Sequence, residues 1–173
     1  MPKAVIDNNA VSLAGEFAVL SQLSLRGYDA NMTLGRTKSV DILVSDPGTG
    51  RMLKLEVKTS YKSGGSAGGN TKLFGKYESA WIMGEKHEVI RDPDLFYCFV
   101  NIGEDTKQFR FFIVPSEVVA DYVKGQHQLW LNADKGHSRT NRMRTFRIGL
   151  ESEKYPFPTP TAKKYEDNWE FRK

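Results

Sequence analysis

The sequence has one cysteine, Cys98, so no internal disulfide can staple the chain. Cys98 sits in the apolar run Leu95-Phe96-Tyr97-Cys98-Phe99-Val100, where a buried, inert thiol is expected. No stretch reaches the roughly 18 apolar residues that a bilayer crossing needs, and no leader of the secretory type opens the chain. A cytoplasmic protein without a membrane partner is the expectation. Histidine is scarce: His87, His127 and His137 are scattered and have no cysteine companions, which argues against a zinc site. There is no Gly-x-Ser-x-Gly elbow and no Cys–His arrangement for nucleophilic catalysis. The glycine-serine segment 63–70 is not followed by Gly-Lys-Ser/Thr, so it is no phosphate-binding loop. It reads as a surface linker or as a flap hanging over the hairpin that precedes it.

At 173 residues the chain is long enough for one domain with a real core, and its net charge of +4 permits a polyanionic partner. We read 1–154 as the body and 155–173 as a Pro-rich extended tail ending in a short helix that docks Tyr165 and Trp169. Acid is absent from Lys135 to Leu150, while Lys135, Arg139, Arg142, Arg144 and Arg147 all lie there. Such a field suits phosphate, for which arginine is the better planar partner, although a solvated basic loop is the ordinary reading.

The chain is organised around residues 39–62. Ile42, Leu43 and Val44 are strand formers. Leu53, Leu55 and Val57 alternate with Lys54, Glu56 and Lys58 at the period of a strand. Asp46-Pro-Gly-Thr-Gly50 between them predicts an antiparallel hairpin. With the turn centred between Gly48 and Thr49, Asp41 falls opposite Glu56, at a Cβ separation of about 5 Å. Lys58 shares their face. Two opposed carboxylates repel unless a cation sits between them, and Mg²⁺, which keeps several waters, takes one or two such ligands plus phosphate. A neighbouring lysine then orients a water or stabilises charge developing on phosphorus. The ordinary reading is the solvated face of a half-exposed strand.

Around the hairpin, a helix is expected from Asn9, as cap, to Leu25, stopped by Gly27 and buried through Leu13, Phe17 and Leu20. Glu16 lies at the edge of that stripe, where a carboxylate is costly unless paired or metal-bound. A first strand covers 28–34, and residues 76–81 have no clear assignment. A second hairpin spans 94–101 and 108–114, and a helix opens at Pro115 and closes at Gly125.

The order of parts resembles the PD-(D/E)XK nuclease superfamily, and within it the archaeal Holliday junction resolvases and related small uncharacterised proteins. The resemblance covers about residues 10–62 and rests on Gly15-Glu16, Gly27-Tyr28, Val40-Asp41 and Glu56-Val57-Lys58-Thr59-Ser60. Val40 stands where that family often has proline. The resemblance implies a restriction-endonuclease-like α/β core, a mixed sheet flanked by helices in αβββαβ order. It implies that Glu16, Asp41, Glu56 and the Val57 carbonyl bind Mg²⁺ or Mn²⁺ and that Lys58 assists the water. The implied activity is hydrolysis of DNA phosphodiester bonds, of a junction or restriction type, leaving a 3′-hydroxyl. Lys62, Arg139, Arg142, Arg144 and Arg147 are candidate contacts to DNA, and a homodimer fits an enzyme that must cut two strands. The alternative is a non-catalytic DNA-binding or partner-docking module that keeps the nuclease-like fold.

Overall fold

The computed structural model describes residues 6–33, 40–62, 70–71, 73–150 and 158–173. Helix α1 (Asn8–Leu25) opens on Asp7 rather than Asn9: the Asp7 carboxylate accepts from the Asn9 and Ala10 amides at 2.5 and 3.2 Å. It closes as expected, with Gly27 at φ +81° and the Gly27 and Tyr28 amides returning to Ser24 and Leu23. Strands β1 (Asp29–Met32), β2 (Ile42–Ser45) and β3 (Met52–Lys62) follow, then β4 (Asn70–Thr71), β5 (Gly75–Gly84) and a 3-10 turn at Glu85–Glu88. Strands β6 (Leu95–Gly103) and β7 (Phe109–Pro115) lead to α2 (Ser116–Ala133), β8 (Met143–Gly149) and the short α3 (Ala162–Tyr165).

Five strands form a mixed sheet in the order β1-β2-β3-β6-β7, in which only the β3–β6 pair is parallel. A three-stranded antiparallel sheet, β4-β5-β8, lies beside it. The order α, β, β, β is met directly, and four further strands precede α2 and β8. The parallel crossover from β3 to β6 therefore runs through β5 and the 3-10 turn, so residues 76–81, unassigned from sequence, are strand.

The β2–β3 register pairs Ile42 with Leu55 and Val44 with Leu53, as the hairpin pattern predicts. The reverse turn is fixed by Asp46, whose carboxylate accepts from the Gly48 amide at 2.9 Å and the Thr49 hydroxyl at 2.6 Å. Alternation then splits the sheet into two cores. Leu53, Leu55 and Val57 join Phe96, Cys98 and Val100 under Val19 and Leu23 of α1. Tyr97, Phe99 and Phe112 join Trp81, Phe146 and the α2 residues Val119 and Val123 on the other face.

Two sequence expectations are corrected, and one, the docking of Tyr165 and Trp169 on the body, is met. The face that α1 buries carries Gly15, Val19 and Leu23; Leu13 and Phe17 are exposed, because the helix turns its smallest residue toward β3. Helix α2 does not end at Gly125 but continues to Ala133, held by buried Gln126 and His127 beyond it. The aromatic residues of the tail are structural: Tyr165 enters the α2-side core, while Trp169 and Phe171 enter the α1-side core. The glycine-serine segment, residues 63–69, and the start of the tail, residues 151–157, lie outside the described residues.

Candidate functional site

Strand β3 is eleven residues long and β2 only four, so β3 outruns its neighbour. The junction is at Asp41, just before β2. Its amide donates to the Leu55 carbonyl at 2.7 Å, and the register carried one step past Ile42–Leu55 sets Asp41 against Glu56. Past that point no β2 residue remains to answer β3. The Val57 amide is met instead by Asp41 Oδ2 at 2.7 Å. In an extended strand a residue's C=O points to the same side as its N–H, which turns the Val57 carbonyl toward the same edge.

Glu56 and Lys58 point to the face opposite α1, and Lys58 Nζ lies 2.7 Å from Glu56 Oε1. Glu56 is 2% exposed, and its Oε2 is buried with no hydrogen-bond partner. A buried carboxylate oxygen without a hydrogen bond is expensive, and the nearest positive charge is Lys58 on the other oxygen of the same group. Burial pushes the Asp41 carboxyl above its ordinary range, opposed by the Val57 amide and Lys58, with Glu56 adding to the rise.

Glu16 reaches this edge from α1. The helix lies so close to β3 that a Cβ on Gly15 would stand 1.9 Å from Thr59 Oγ1. Only glycine permits that approach, and it brings the next residue into the field of Asp41. The Glu16 carboxyl is raised chiefly by burial and then by Asp41, while the Ser12 hydroxyl, donating at 3.3 Å, and Lys58 act against the rise. A cleft of about 450 Å³ runs beside Lys58 past Ser12, Thr59 and Tyr61. Neither this cleft nor a larger hollow of about 770 Å³ at the tail is lined by Glu16, Asp41 or Glu56.

The fit to a divalent cation is partial. Among the described residues no three acidic, histidine or cysteine side chains form a ready cage. An opposed pair with one buried oxygen without a hydrogen bond, beside a backbone carbonyl on the same edge, nevertheless suits a cation that retains most of its water.

The predicted cationic contacts separate. Arg142 is 83% exposed and pairs with Glu85 at 3.4 Å, and Arg139 is exposed in the turn between α2 and β8. Arg147 lies over the rings of Phe74 and Tyr77, at 4.6 and 5.5 Å. Arg144 is a correction: its side chain is 7% exposed, ion-paired with Glu88, and donates to the Asn141 and Met143 carbonyls. The acids that answer this basic stretch come from the 3-10 turn, a partner invisible within residues 135–150. Lys62 ends β3, and its side chain lies outside the described set.

Sequence reasoning missed the groups behind Glu56. The parallel register sets Tyr97 beside Glu56, and buried His87 from the 3-10 turn places Nδ1 2.7 Å from the Tyr97 hydroxyl and Nε2 3.8 Å from Glu56 Oε1. Burial pushes the His87 imidazole down to about 4 and the Tyr97 hydroxyl upward. The charge of Lys86, on the same turn, reaches both Asp41 and His87. Nothing local marks these residues, since a parallel crossover leaves no turn signal from which to count register.

No protein-family model matches the chain. No curated protein matches it. Among solved structures it is similar to a bacterial homing endonuclease, at a TM-score of 0.50 and 14% identity, covering 96% of this chain and 91% of that one. With the mixed sheet and its flanking helices, this defines an α/β nuclease-like fold. No helix among the described residues is long and apolar enough to cross a membrane.

Proposed function

We propose that the protein is a metal-dependent endonuclease that hydrolyses DNA phosphodiester bonds, with a site of the PD-(D/E)XK type. The observation that carries this reading is Asp41 opposed to Glu56 at the end of β2, with a buried unpartnered oxygen on Glu56 and Lys58 at 2.7 Å. Asp41, Glu56 and the Val57 carbonyl would hold Mg²⁺ or Mn²⁺, and Glu16 would close the ring through water. When bound, such a cation lowers the pKa of a water and neutralises phosphate charge. Lys58, paired with Glu56, orients that water and offsets charge at the phosphate. Arg142 and Arg139 remain exposed contacts for the DNA backbone.

The bacterial homing endonuclease lends this reading support at the level of fold. The test is cleavage of labelled junction, flap, duplex and single-stranded substrates in Mg²⁺ and Mn²⁺, with Asp41→Ala and Glu56→Ala beside the wild type. Loss of cutting in both variants is expected. Full cutting by both would refute the assignment.

A second reading rests on the Lys58–Glu56 ion pair, which satisfies Oε1 without any metal. In that case the protein is a binding module of nuclease-like fold. Calorimetry separates the two: a flat Mn²⁺ titration with DNA present favours the module.

A further inference from the structure

Glu56 has two oxygens in different circumstances. Oε1 is 2.7 Å from Lys58 Nζ and 3.8 Å from His87 Nε2, while Oε2 is buried and unpartnered. His87 is itself 2% exposed, and its ring meets Tyr97 edge-on, with centroids 5.5 Å apart. A neutral imidazole has one N–H and one lone pair. If Nδ1 donated to the Tyr97 hydroxyl, the Nε2 lone pair would face a carboxylate. With the Tyr97 hydroxyl donating to Nδ1, the proton is left on Nε2, which faces Oε1 at 3.8 Å as a charge contact longer than a hydrogen bond; the Tyr97 hydroxyl itself also interacts with Glu56. The turn that carries His87 is anchored from β8: the Glu85 amide donates to the Arg142 carbonyl at 3.0 Å, and Arg144 holds Glu88.

We propose that Tyr97 and His87 form a positioning relay that holds Glu56 Oε1 from behind, so that Oε2 is the oxygen presented at the open end of β2. Neither residue touches the reacting atoms. His87 fixes the rotation of the carboxylate, and Tyr97 fixes the tautomer of His87. The basic stretch of β8 thereby serves the site by bracing the turn. The inference deepens the nuclease reading and rests on it for the identity of what Oε2 receives.

The experiment uses the full chain and three variants. His87→Phe removes both nitrogens and keeps a buried ring; His87→Gln restores one N–H donor; Tyr97→Phe removes only the hydroxyl. Mn²⁺ affinity is measured by calorimetry, Mg²⁺ activation by cleavage, and the Glu56 carboxyl carbon resonance by NMR in metal-free protein. His87→Phe is expected to melt as a folded protein yet bind Mn²⁺ about 10- to 100-fold more weakly. Its Mg²⁺ midpoint rises in step and its Glu56 resonance moves. His87→Gln recovers part of each, and Tyr97→Phe shows a smaller change of the same sign. Wild-type affinity and an unmoved Glu56 resonance in folded His87→Phe overturn the inference. If His87→Phe does not fold, Tyr97→Phe decides by the same criteria. A wild type that neither binds metal nor cuts sinks the nuclease reading alone; the Glu56 resonance then decides the relay, movement supporting it and constancy overturning it.

Discussion

Two charged regions stand out in this chain, the Asp41–Glu56–Lys58 edge and the arginines of 139–147, and the fold treats them oppositely. Beside the 3-10 turn the arginine charge is answered: buried Arg144 has Glu88 and two carbonyls, and exposed Arg142 has Glu85, while Arg147, stacked over Phe74 and Tyr77, keeps two buried nitrogens without a hydrogen bond. At the end of β2 acids are gathered, the Asp41 carboxyl is lifted by burial, and one oxygen of Glu56 is left without a partner. A charge run becomes structural once another segment neutralises it. A site is where folding stops short of neutralisation.

The sharpest way to break this contrast is substitution at the unanswered carboxylates. Asp41→Asn should lower cleavage at least about 10³-fold, the scale on which a preorganised charge contributes to catalysis. The same change should leave the metal-free fold intact and raise its melting temperature, because the native state holds the Asp41 carboxyl above its usual range. Lower stability for Asp41→Asn would mean that the Val57 amide and Lys58 outweigh the burial of the charge at this position.

At the answered region the effects reverse. Arg144→Met should destabilise by about 2–3 kcal/mol in denaturant titration, since it strands Glu88 at a partly open position. Its effect on cutting should be smaller than that of Asp41→Asn and should track the looseness of the 3-10 turn. Arg142→Ala, at a mostly exposed pair, should change stability by less than about 1 kcal/mol. It should weaken DNA binding and flatten its salt dependence by about one counterion.

Gly15→Ala sharpens the comparison from the helix side. A Cβ 1.9 Å from Thr59 Oγ1 must push α1 off β3, at a cost of about 1–3 kcal/mol. Glu16 then leaves the field of Asp41, so metal affinity should fall with stability. A last effect is expected in acid. His87 is held neutral down to about 4, against an ordinary value of 6.5. Its contribution is fully present above pH 6.5 and is lost as pH falls toward 4, amounting to about 3 kcal/mol at most. His87→Phe should flatten the stability profile in that window.

How much of this could be read beforehand depended on locality. The hairpin wrote its own register, because Asp46 and the glycines fix the turn and alternation fixes the faces, so Asp41 and Glu56 could be paired by counting. Glycine at 27 marked a helix end. What stayed hidden was long-range. Leu13 and Phe17 make a stripe on the helical wheel, yet only the position of β3 decides that Gly15 faces inward. Arg144 looked free because Glu88 lies far back in the chain, and His87 looked idle because the β3–β6 pairing that sets Tyr97 beside Glu56 leaves no trace in the sequence.

The buried thiol of Cys98 has a practical consequence. It lies at 0% exposure on β6, directly beside Val57 in the parallel seam, and burial raises it far above the range where thiolate forms. A thiol reagent can reach it only when the core around β6 opens, so the labelling rate of the untouched protein is a clock for opening of the sheet and helix α1 around the strand that carries Glu56 and Lys58. Any ligand that ties those residues together should slow that clock.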